Sequence, residues 1–381
     1  MKAWRLFALG DHRLVEAPVP AVGEGSVLIR VRVVQPSVTD AEVIKGDAFS
    51  SRTLQRLAAS GFLQLGHEYC GQVVEVGKGV VSLKVGDRVS SATGNVHCGR
   101  CAMCLSGKYA ECLSPHHIGG DIPGAFAEYM CLPELGAVRM PDGPTDNEVA
   151  AFQPLCACLA SVRSAGIRMG DSVLVLGQGA VGLGVLQAAK LAGAGLLIAV
   201  ARRPESLALS RKYGADITIN ATETDVVREV LAATGGHGVD VAFEAAGGSP
   251  AHGLSGFATL LQALQSVRPE GTVVQAAILV GTLELNTDLL KARRVRYIQP
   301  EANTSEFLSI AAQMGGERQD SGGPADNSRS PRPGEASRSH GDHGEQGKIS
   351  HHELGASRSL ESGVVPAQPQ ARPKPTEREL R

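Results

Sequence analysis

Hydrophobic and polar residues change their spacing along this chain at about residue 145. Before that point, short runs of valine, isoleucine and leucine lie between glycines, for example in residues 27–34 and 71–89. Short runs rich in β-branched residues and bounded by glycine turns are typical of strands. Residues 1–140 are therefore predicted to be rich in β-structure.

A helix is predicted to begin at Thr145 and to run towards Gly166. Thr145 and Glu148 have the spacing of a capping box, in which two side chains bond to the free N–H groups of a helix start. Pro154 lies inside this segment, and proline removes a helical hydrogen bond and clashes with the preceding turn. The helix is therefore expected to bend near Pro154.

From Asp171 onward the pattern is a strand, a glycine turn and a helix, repeated. Buried, apolar strands are predicted at residues 173–176, 196–200, 239–244 and 272–276. The first helix of this region is predicted from Ala180 to Ala192, ended by Gly193. Such alternation produces a parallel sheet covered by helices, so the fold class is α/β with a doubly wound sheet.

The composition changes again after about Met314. Residues 315–381 contain no aromatic residue and are dense in Gly, Ser, Pro, Arg, Glu and His. Such a segment buries too little apolar surface to offset the entropy of ordering, and it is predicted to be disordered. Its histidines could bind a metal weakly, but solvated side chains are the favoured interpretation. These histidines are His340, His343, His351 and His352.

Length, charge and cysteine content exclude several classes of protein. A chain of 381 residues suggests two domains, and a net charge of −2 favours neither a nucleic-acid nor a membrane partner. The N-terminus lacks the apolar core of a signal peptide, and the apolar run at residues 194–201 is too short to span a bilayer. Eight cysteines without a secretion signal favour reduced thiols and a cytoplasmic location.

Four of the cysteines lie close together in the sequence. They are Cys98, Cys101, Cys104 and Cys112. Four thiolates satisfy the tetrahedral shell of a structural zinc, which needs soft donors and no open position. Chance clustering and two disulfides are the alternatives, but nothing else in the chain indicates secretion. A structural zinc is therefore predicted in a lobe at about residues 95–113.

A glycine-rich turn between a predicted strand and a predicted helix has the pattern of a dinucleotide site. In Gly177-Gln-Gly179-Ala-Val-Gly182, the first glycine makes the turn, the second admits a pyrophosphate, and the third lets helix and strand pack closely. The phosphate would bind free N–H groups at the helix start, where Ala180 and Val181 lie. A tight turn without a ligand is the alternative.

Two arginines follow the second strand of this region. An NAD-selective site carries an acidic residue there, but this chain has Ala201-Arg202-Arg203. Guanidinium groups can pair with the 2′-phosphate of NADP, so NADP(H) is favoured over NAD(H). A solvated pair at a helix start is the alternative interpretation.

Three motifs in this order resemble the medium-chain zinc-containing alcohol dehydrogenases. They are Gly66-His67-Glu68-Tyr-Cys-Gly71, the four-cysteine lobe and the glycine-rich turn. Gln153-Pro-Leu stands where the sorbitol and threonine dehydrogenase branch has Glu-Pro-Leu. The resemblance covers about residues 1–314. It implies transfer of a hydride between a nicotinamide cofactor and a small alcohol, polyol or carbonyl substrate.

The resemblance also implies a domain organisation. A GroES-like β-barrel catalytic domain is expected over residues 1–150 and a Rossmann domain over residues 151–314, followed by the tail at 315–381. Family members continue with further Rossmann elements, so that domain is expected to be C-terminally incomplete, with a helix beginning at Phe307. Homodimers or homotetramers are common in the family, and residues 272–297 correspond to the usual contact region.

The catalytic zinc site implied by the resemblance is altered. Ser37 stands in place of a cysteine ligand and Gln153 in place of a glutamate, while His67 and Glu68 remain as candidate zinc ligands. Zinc binds deprotonated ligands, and a serine hydroxyl is far harder to deprotonate than a thiol, so zinc affinity should fall. Thr39 keeps the family's hydroxyl that bonds to the substrate alcohol. These five residues form the predicted catalytic set.

Other cysteines could replace the missing ligand, although buried packing is favoured for each of them. They are Cys156, Cys70 and Cys158. Cys131 is assigned to packing. Without tightly bound zinc, His67 is either an acid or base of the reaction or a structural histidine satisfied by Glu68.

Three functions remain open from the sequence. The favoured one is an NADP-preferring alcohol or polyol dehydrogenase with two zinc ions per chain. The second is a carbonyl or enone reductase that uses NADPH and holds one zinc. The third is a non-catalytic descendant that binds a dinucleotide or a protein partner, or a product too truncated to fold.

Overall fold

The computed structural model describes residues 1–91, 94–248 and 255–300. The predicted tail at 315–381, its four histidines and the helix expected at Phe307 lie outside these residues. No helix in the described part of the chain is both long and apolar enough to cross a membrane.

The N-terminal part is built from short strands, as its hydrophobic pattern predicts. They are β1 (Lys2–Ala8), β2 (Asp11–Glu16), β3 (Ser26–Gln35), β4 (Glu68–Val76), β5 (Arg88–Ser90), β6 (Asn95–Val96), β7 (His116–His117), β8 (Tyr129–Pro133) and β9 (Val138–Arg139). A five-stranded antiparallel sheet has the order β8-β3-β4-β5-β9, and β1 pairs with β2 and β6 with β7. Alternate residues such as Ile29, Val73 and Met130 point inward and form one apolar core.

Helices also lie between these strands, and the sequence pattern did not predict them. They are α1 (Val38–Lys45), α2 (Ser50–Ser60) and α3 (Ala102–Leu105). Ser37 and Asp40 form a capping box at the start of α1, and α2 buries Thr53 and Leu57. A two-sided cap of this kind satisfies N–H groups that a short helix leaves free. The cap was overlooked because Ser37 was interpreted as the replacement of a zinc ligand.

The helix predicted from Thr145 to Gly166 is two helices. They are α4 (Asp146–Ala150), which begins with the predicted capping box, and α5 (Phe152–Ala165). Pro154 has no N–H to donate to the carbonyl of Ala150, and its ring crowds that carbonyl. The expected bend is therefore a break, and it lies at Ala151 rather than at the proline itself.

The second part of the chain forms a six-stranded parallel sheet. Its strands are β10 (Ser172–Leu176), β11 (Leu196–Ala201), β12 (Ile217–Asn220), β13 (Val239–Glu244), β14 (Val267–Gln275) and β15 (Arg296–Ile298). Its helices are α6 (Ala180–Leu191), α7 (Pro204–Lys212), α8 (Val226–Ala233), α9 (Ala258–Ser266) and α10 (Asp288–Arg293). The spatial order is β12-β11-β10-β13-β14-β15, and every neighbouring pair is parallel.

The parallel sheet is buried on both faces. Val173 and Val175 pack with α5 and α6 on one face, while Leu174 and Leu176 pack with α8 and α9 on the other. Successive strand residues point to opposite faces, which explains the continuous apolar runs in the sequence. From β10 the chain adds β11 and β12 on one side, and then returns to place β13 on the other side of β10. The strand order therefore reverses at the junction of β10 and β13. The carboxyl ends of these two strands therefore border the crevice where doubly wound sheets bind their ligands.

Candidate active site

His67 lies directly before β4, held in place by the turn at Gly66. Gly66 has φ 94°, and a Cβ atom there would lie 2.8 Å from the ring of Phe126. The N–H of Gly66 donates to Oδ1 of Asp40 at 3.3 Å. Glycine is therefore required at this turn, and it places His67 in a buried position.

Asp40 connects the start of α1 to His67. Its Oδ2 accepts hydrogen bonds from the N–H of Ser37 at 3.0 Å and from the Ser37 hydroxyl at 2.8 Å. Its own N–H donates to Oγ of Ser37 at 3.0 Å, and its Oδ1 lies 3.8 Å from Nδ1 of His67. Ser37 thus acts as a helix cap that orients a buried carboxylate towards the histidine. Asp40 was missed as a functional residue, although the capping-box spacing in the sequence could have identified it.

The buried imidazole of His67 lies next to a second imidazole, which is partly buried. The rings of His67 and His117 are 5.9 Å apart in an edge-on arrangement. Burial lowers the pKa of His67, and the negative charge of Asp40 partly offsets this. Burial, with the nearby His67 and Arg56, lowers the pKa of His117 to about 4. Both imidazoles are therefore neutral at neutral pH. No spacing in the sequence indicated His117, because β7 is brought to β4 by the tertiary fold alone.

Glu68 faces Gln35 across two strands. The two residues are paired in the β3–β4 register, and Nε2 of Gln35 donates to Oε2 of Glu68 at 2.8 Å. Burial, with the charge of Asp40, raises the pKa of Glu68 to about 7, and the bond from Gln35 acts in the opposite direction. Nδ1 of His67 is buried and has no hydrogen-bond partner among the described residues. Glu68 therefore does not accept a hydrogen bond from this nitrogen, which the interpretation of His67 as a structural histidine satisfied by Glu68 would require.

The remaining members of the predicted catalytic set lie in the first turns of two helices. Thr39 is half-buried at the start of α1, and Gln153 is buried at the start of α5. Phe152 and Cys156 pack in one cluster with Cys70, which belongs to β4. This packing holds the start of α5 against the strand that begins at Glu68.

The other thiols behave as packing residues, with one exception. Burial raises the pKa values of Cys70, Cys156 and Cys158 to about 12. These groups are therefore thiols rather than thiolates at neutral pH, and thiols bind zinc poorly. Cys131, which was assigned to packing, is only half-buried, on the face of β8 opposite to the core residues Met130 and Leu132.

In the described residues, His67 does not lie in a group of three or more His, Cys, Asp or Glu donors that could hold a metal ion. Among the His, Cys, Asp and Glu side chains of the described residues, the four clustered cysteines form the only group of three or more that could hold a metal ion. The hydroxyl of Ser37 is occupied by Asp40, and Glu68 bonds to Gln35. The set Ser37, His67 and Gln153 therefore does not fit a tightly bound catalytic zinc.

The four predicted cysteine ligands do converge. The sulfur atoms of Cys98, Cys101, Cys104 and Cys112 all lie within 4.8 Å of one another. The sulfur–sulfur distance is 3.5 Å between Cys101 and Cys104 and 4.0 Å between Cys98 and Cys104. A tetrahedron with zinc–sulfur bonds of about 2.3 Å has edges of about 3.8 Å, so these sulfurs fit one zinc.

Backbone N–H groups favour the thiolate form of Cys101, whereas burial raises the pKa of Cys104 to about 12. Cys101 accepts hydrogen bonds from the N–H groups of Cys104 and Leu113, both at 3.5 Å. These bonds lower the pKa of Cys101 to about 6. Zinc bound here would cross-link a lobe that has little apolar core, since Leu105 and Leu113 are more than 70% exposed.

The glycine-rich turn has the geometry expected of a dinucleotide site. Gly177 follows β10 with φ 94°. A Cβ atom on Gly182 would overlap the carbonyl of Gly177, whereas one on Gly179 would meet no atom of the described residues within 4 Å. Gly179 is the N-cap of α6 and provides no side-chain bond. The first N–H groups of α6, which include those of Ala180 and Val181, therefore lack a side-chain cap at a place with room for a phosphate.

Arg202 and Arg203 follow β11 directly and are exposed. Arg203 is the N-cap of α7, and Pro204 occupies the first position of that helix. Both arginines therefore lie at the carboxyl edge of the sheet, one strand away from the glycine-rich turn, because β10 and β11 are neighbours.

The thiol of Cys158 contacts the helix that follows the nucleotide turn. It donates to the carbonyl of Val181, in the first turn of α6, at 3.3 Å. Burial is the main cause of its raised pKa, and the negative charge of Glu68 contributes in the same direction. Helix α5 thus packs against β4, which begins at Glu68, and contacts the first turn of α6.

Comparison with known proteins agrees with this arrangement. Residues 23–142 match the alcohol dehydrogenase GroES-like domain, and residues 180–306 match the zinc-binding dehydrogenase family. The chain belongs to the zinc-containing medium-chain alcohol dehydrogenases. It is accordingly an alcohol dehydrogenase-like oxidoreductase, and the expected combination of a GroES-like part with a Rossmann sheet is confirmed.

Three similar proteins illustrate the relationship. D-arabitol-phosphate dehydrogenase of Enterococcus avium is 31% identical over 79% of this chain and 82% of its own length. L-threonine 3-dehydrogenase of Pyrococcus abyssi is 35% identical over 72% of this chain and 74% of its own length. A zinc-binding dehydrogenase of Sinorhizobium meliloti 1021, solved with NADP bound, is 30% identical, with a TM-score of 0.71 over 82% of this chain and 89% of that chain.

Proposed function

We propose that this chain transfers a hydride between NADP(H) and a small alcohol, polyol or carbonyl substrate. The observation that carries this proposal is the position of α5. Cys158 of this helix contacts Val181 beside the turn at Gly177–Gly182, and Cys156 packs with Cys70 of β4, the strand that begins at Glu68 directly after His67. A cofactor on the turn and a substrate near His67 would then be neighbours, as hydride transfer requires.

The residues around His67 supply the proton chemistry of the proposed reaction. When an alcohol is oxidised, its carbon loses a hydride to the nicotinamide and its hydroxyl loses a proton. The imidazole of His67, neutral because burial lowers its pKa, is the proposed acceptor of that proton. Asp40, 3.8 Å from Nδ1, stabilises the resulting imidazolium. Thr39 provides the proposed hydroxyl contact to the substrate oxygen.

The preference for NADP(H) rests on the two arginines after β11. A guanidinium–phosphate bond is worth about 1.5–3 kcal/mol, or about 10- to 150-fold in affinity. Replacing Arg202 and Arg203 by alanine should therefore weaken NADPH binding by at least about tenfold and leave NADH binding nearly unchanged. Arg211→Ala, at the opposite end of α7, is the matched control and should change neither affinity. Equal losses for both cofactors would contradict the preference.

Turnover provides the test of the proposed reaction. The purified full chain should oxidise NADPH in the presence of some members of a panel of aldehydes, ketones and enones, or reduce NADP with some alcohols and polyols. His67→Asn should lower kcat by at least about 100-fold, because a general base contributes about 10²–10⁴-fold. NADPH affinity should stay within about threefold of wild type. Nucleotide binding without turnover on any of these substrates would favour a non-catalytic protein instead.

A second candidate is a polyol dehydrogenase that uses a catalytic zinc at this site. The buried Nδ1 of His67 without a described partner and the adjacent Glu68 favour it. Elemental analysis separates the two candidates. The donor geometry leads us to expect about one zinc per chain, with activity that survives mild chelation. Two zinc ions per chain, with activity lost on mild chelation, would favour the second candidate.

A further inference from the structure

A carboxylate that the catalytic proposal does not use lies at the carboxyl end of β13. Glu244 is completely buried. Its Oε1 accepts hydrogen bonds from the N–H of Ala246 at 3.0 Å, the N–H of Gly247 at 2.9 Å and the hydroxyl of Thr259 at 2.9 Å. Its Oε2 is also buried, with no partner among the described residues. Oε1 therefore binds the backbone of residues 246 and 247, at the start of the loop that follows β13, and connects it to Thr259 of α9.

Ala246 and Gly247 of that loop pack between the nucleotide turn and the residues that follow β14. On one side, a Cβ atom on Gly177 would lie 2.6 Å from Cα of Ala246, so the loop touches the first glycine of the nucleotide turn. On the other side, a Cβ atom on Gly247 would lie 2.6 Å from the carbonyl oxygen of Ile278, after β14.

Burying a carboxylate is costly, and an apolar residue could fill the end of a buried strand at lower cost. Burial raises the pKa of Glu244, while the hydrogen bonds from Gly247, Thr259 and Ala246 act in the opposite direction. The three donors offset only part of the cost. The arrangement defines the loop geometry more than it stabilises the sheet.

The position of the loop in the sheet indicates what it borders. A doubly wound sheet has two mononucleotide-binding halves, and the first half carries the glycine-rich turn and the contact to the adenosine ribose. Here β10, β11 and β12 form that first half, and Glu244 pairs with Leu176 across the junction between β10 and β13. The loop after β13 therefore belongs to the half that faces the nicotinamide mononucleotide.

We infer that Glu244 is a positioning residue for the nicotinamide half of the cofactor. It holds the backbone of residues 245–247 in the conformation that accepts the nicotinamide mononucleotide, without touching the adenosine half. This inference rests on the proposed function. It predicts that the Glu244 side chain contributes to the affinity for the nicotinamide half of the cofactor and not to the affinity for the adenosine half.

The experiment compares two probes on the full chain. NADPH spans both halves of the site, whereas adenosine 2′,5′-bisphosphate occupies only the adenosine half. Glu244→Leu removes the acceptor and should weaken NADPH binding by about tenfold or more, with bisphosphate affinity unchanged. Glu244→Gln keeps an oxygen for the three donors and should restore NADPH affinity to within about threefold of wild type.

Asp240→Asn is the matched control. Asp240 lies near the amino end of the same strand, where it accepts bonds from Ser172 and Arg268. It should lower thermal stability without changing the ratio of the two affinities. Thr259→Val, which removes a single donor, provides a milder variant should Glu244→Leu fail to fold, and it should weaken NADPH selectively by a smaller factor.

The outcomes separate this inference from the proposed function. Wild-type chain that binds neither probe would overturn both. The role of Glu244 alone would be overturned if the wild-type chain bound both probes and the Glu244→Leu variant lost affinity for both equally, or for neither. A selective loss of NADPH in Glu244→Leu, restored in Glu244→Gln, would support it.

Discussion

Two glycines of the nucleotide turn should respond to the same substitution in opposite ways. At Gly182, an added Cβ would overlap the carbonyl oxygen of Gly177 and lie 2.8 Å from its carbonyl carbon. Both atoms are backbone, so relief requires α6 to move away from β10. At Gly179, an added Cβ would meet no protein atom within 4 Å, and φ is −86°, which alanine adopts readily.

The magnitudes follow from these contacts. Overpacking typically costs about 1–3 kcal/mol, and the better helix propensity of alanine returns less than about 1 kcal/mol. Gly182→Ala should therefore lower Tm by several degrees. Gly179→Ala should cost about 1 kcal/mol or less, because it creates no clash and loses only the preference for glycine over alanine at an N-cap. Its methyl group would occupy the space through which a pyrophosphate approaches, and NADPH affinity should fall at least about tenfold.

Thermal unfolding and fluorescence titration with NADPH measure the two effects separately. Gly23→Ala is the control, because a Cβ there also meets nothing within 4 Å but lies in the N-terminal part of the chain. It should change neither quantity. If Gly179→Ala bound NADPH as tightly as wild type, the assignment of this turn as the phosphate site would be refuted. If it unfolded as early as Gly182→Ala, the packing difference between the two glycines would be refuted.

Two further predictions concern the zinc lobe and the amino end of β13. Cys101→Ser should reduce the zinc content by one ion per chain and should leave NADPH binding unchanged. Residues 95–113 should then become the first site of limited proteolysis. An unchanged zinc content would contradict the four-cysteine site. Burial acts to raise the pKa of Asp240, but bonds from Ser172 and Arg268 outweigh it and hold the pKa below its usual value. The stabilising contribution of this carboxylate is therefore present at neutral pH and is lost as the pH falls below about 4. In urea unfolding, Asp240→Asn should be less stable than wild type at pH 7, and the difference should shrink in acid; a difference independent of pH would exclude this origin.

Features set by short stretches of chain were predictable from the sequence. The parallel strands at 173–176 and 239–244 and the helix that begins at Ala180 were placed correctly, because buried apolar runs and glycine turns are local signals. The capping box at Thr145 was also placed correctly. The helices at 38–45 and 50–60 were missed because residues 1–140 were interpreted as β-rich. The first helix has only a short capping signal, and the second buries only two residues, Thr53 and Leu57.

The sequence by itself determined the order of the motifs, the alternation of strands and helices, and the four-thiol cluster, because each depends on residues within about one turn or one loop of one another. Only the tertiary structure decided that Asp40 faces His67, that His117 lies beside His67, and that Glu244 binds the backbone of the loop beside Gly177. These juxtapositions connect residues on different strands and loops. They arise from sheet register and core packing, and no periodicity along the chain encodes which distant side chains will meet.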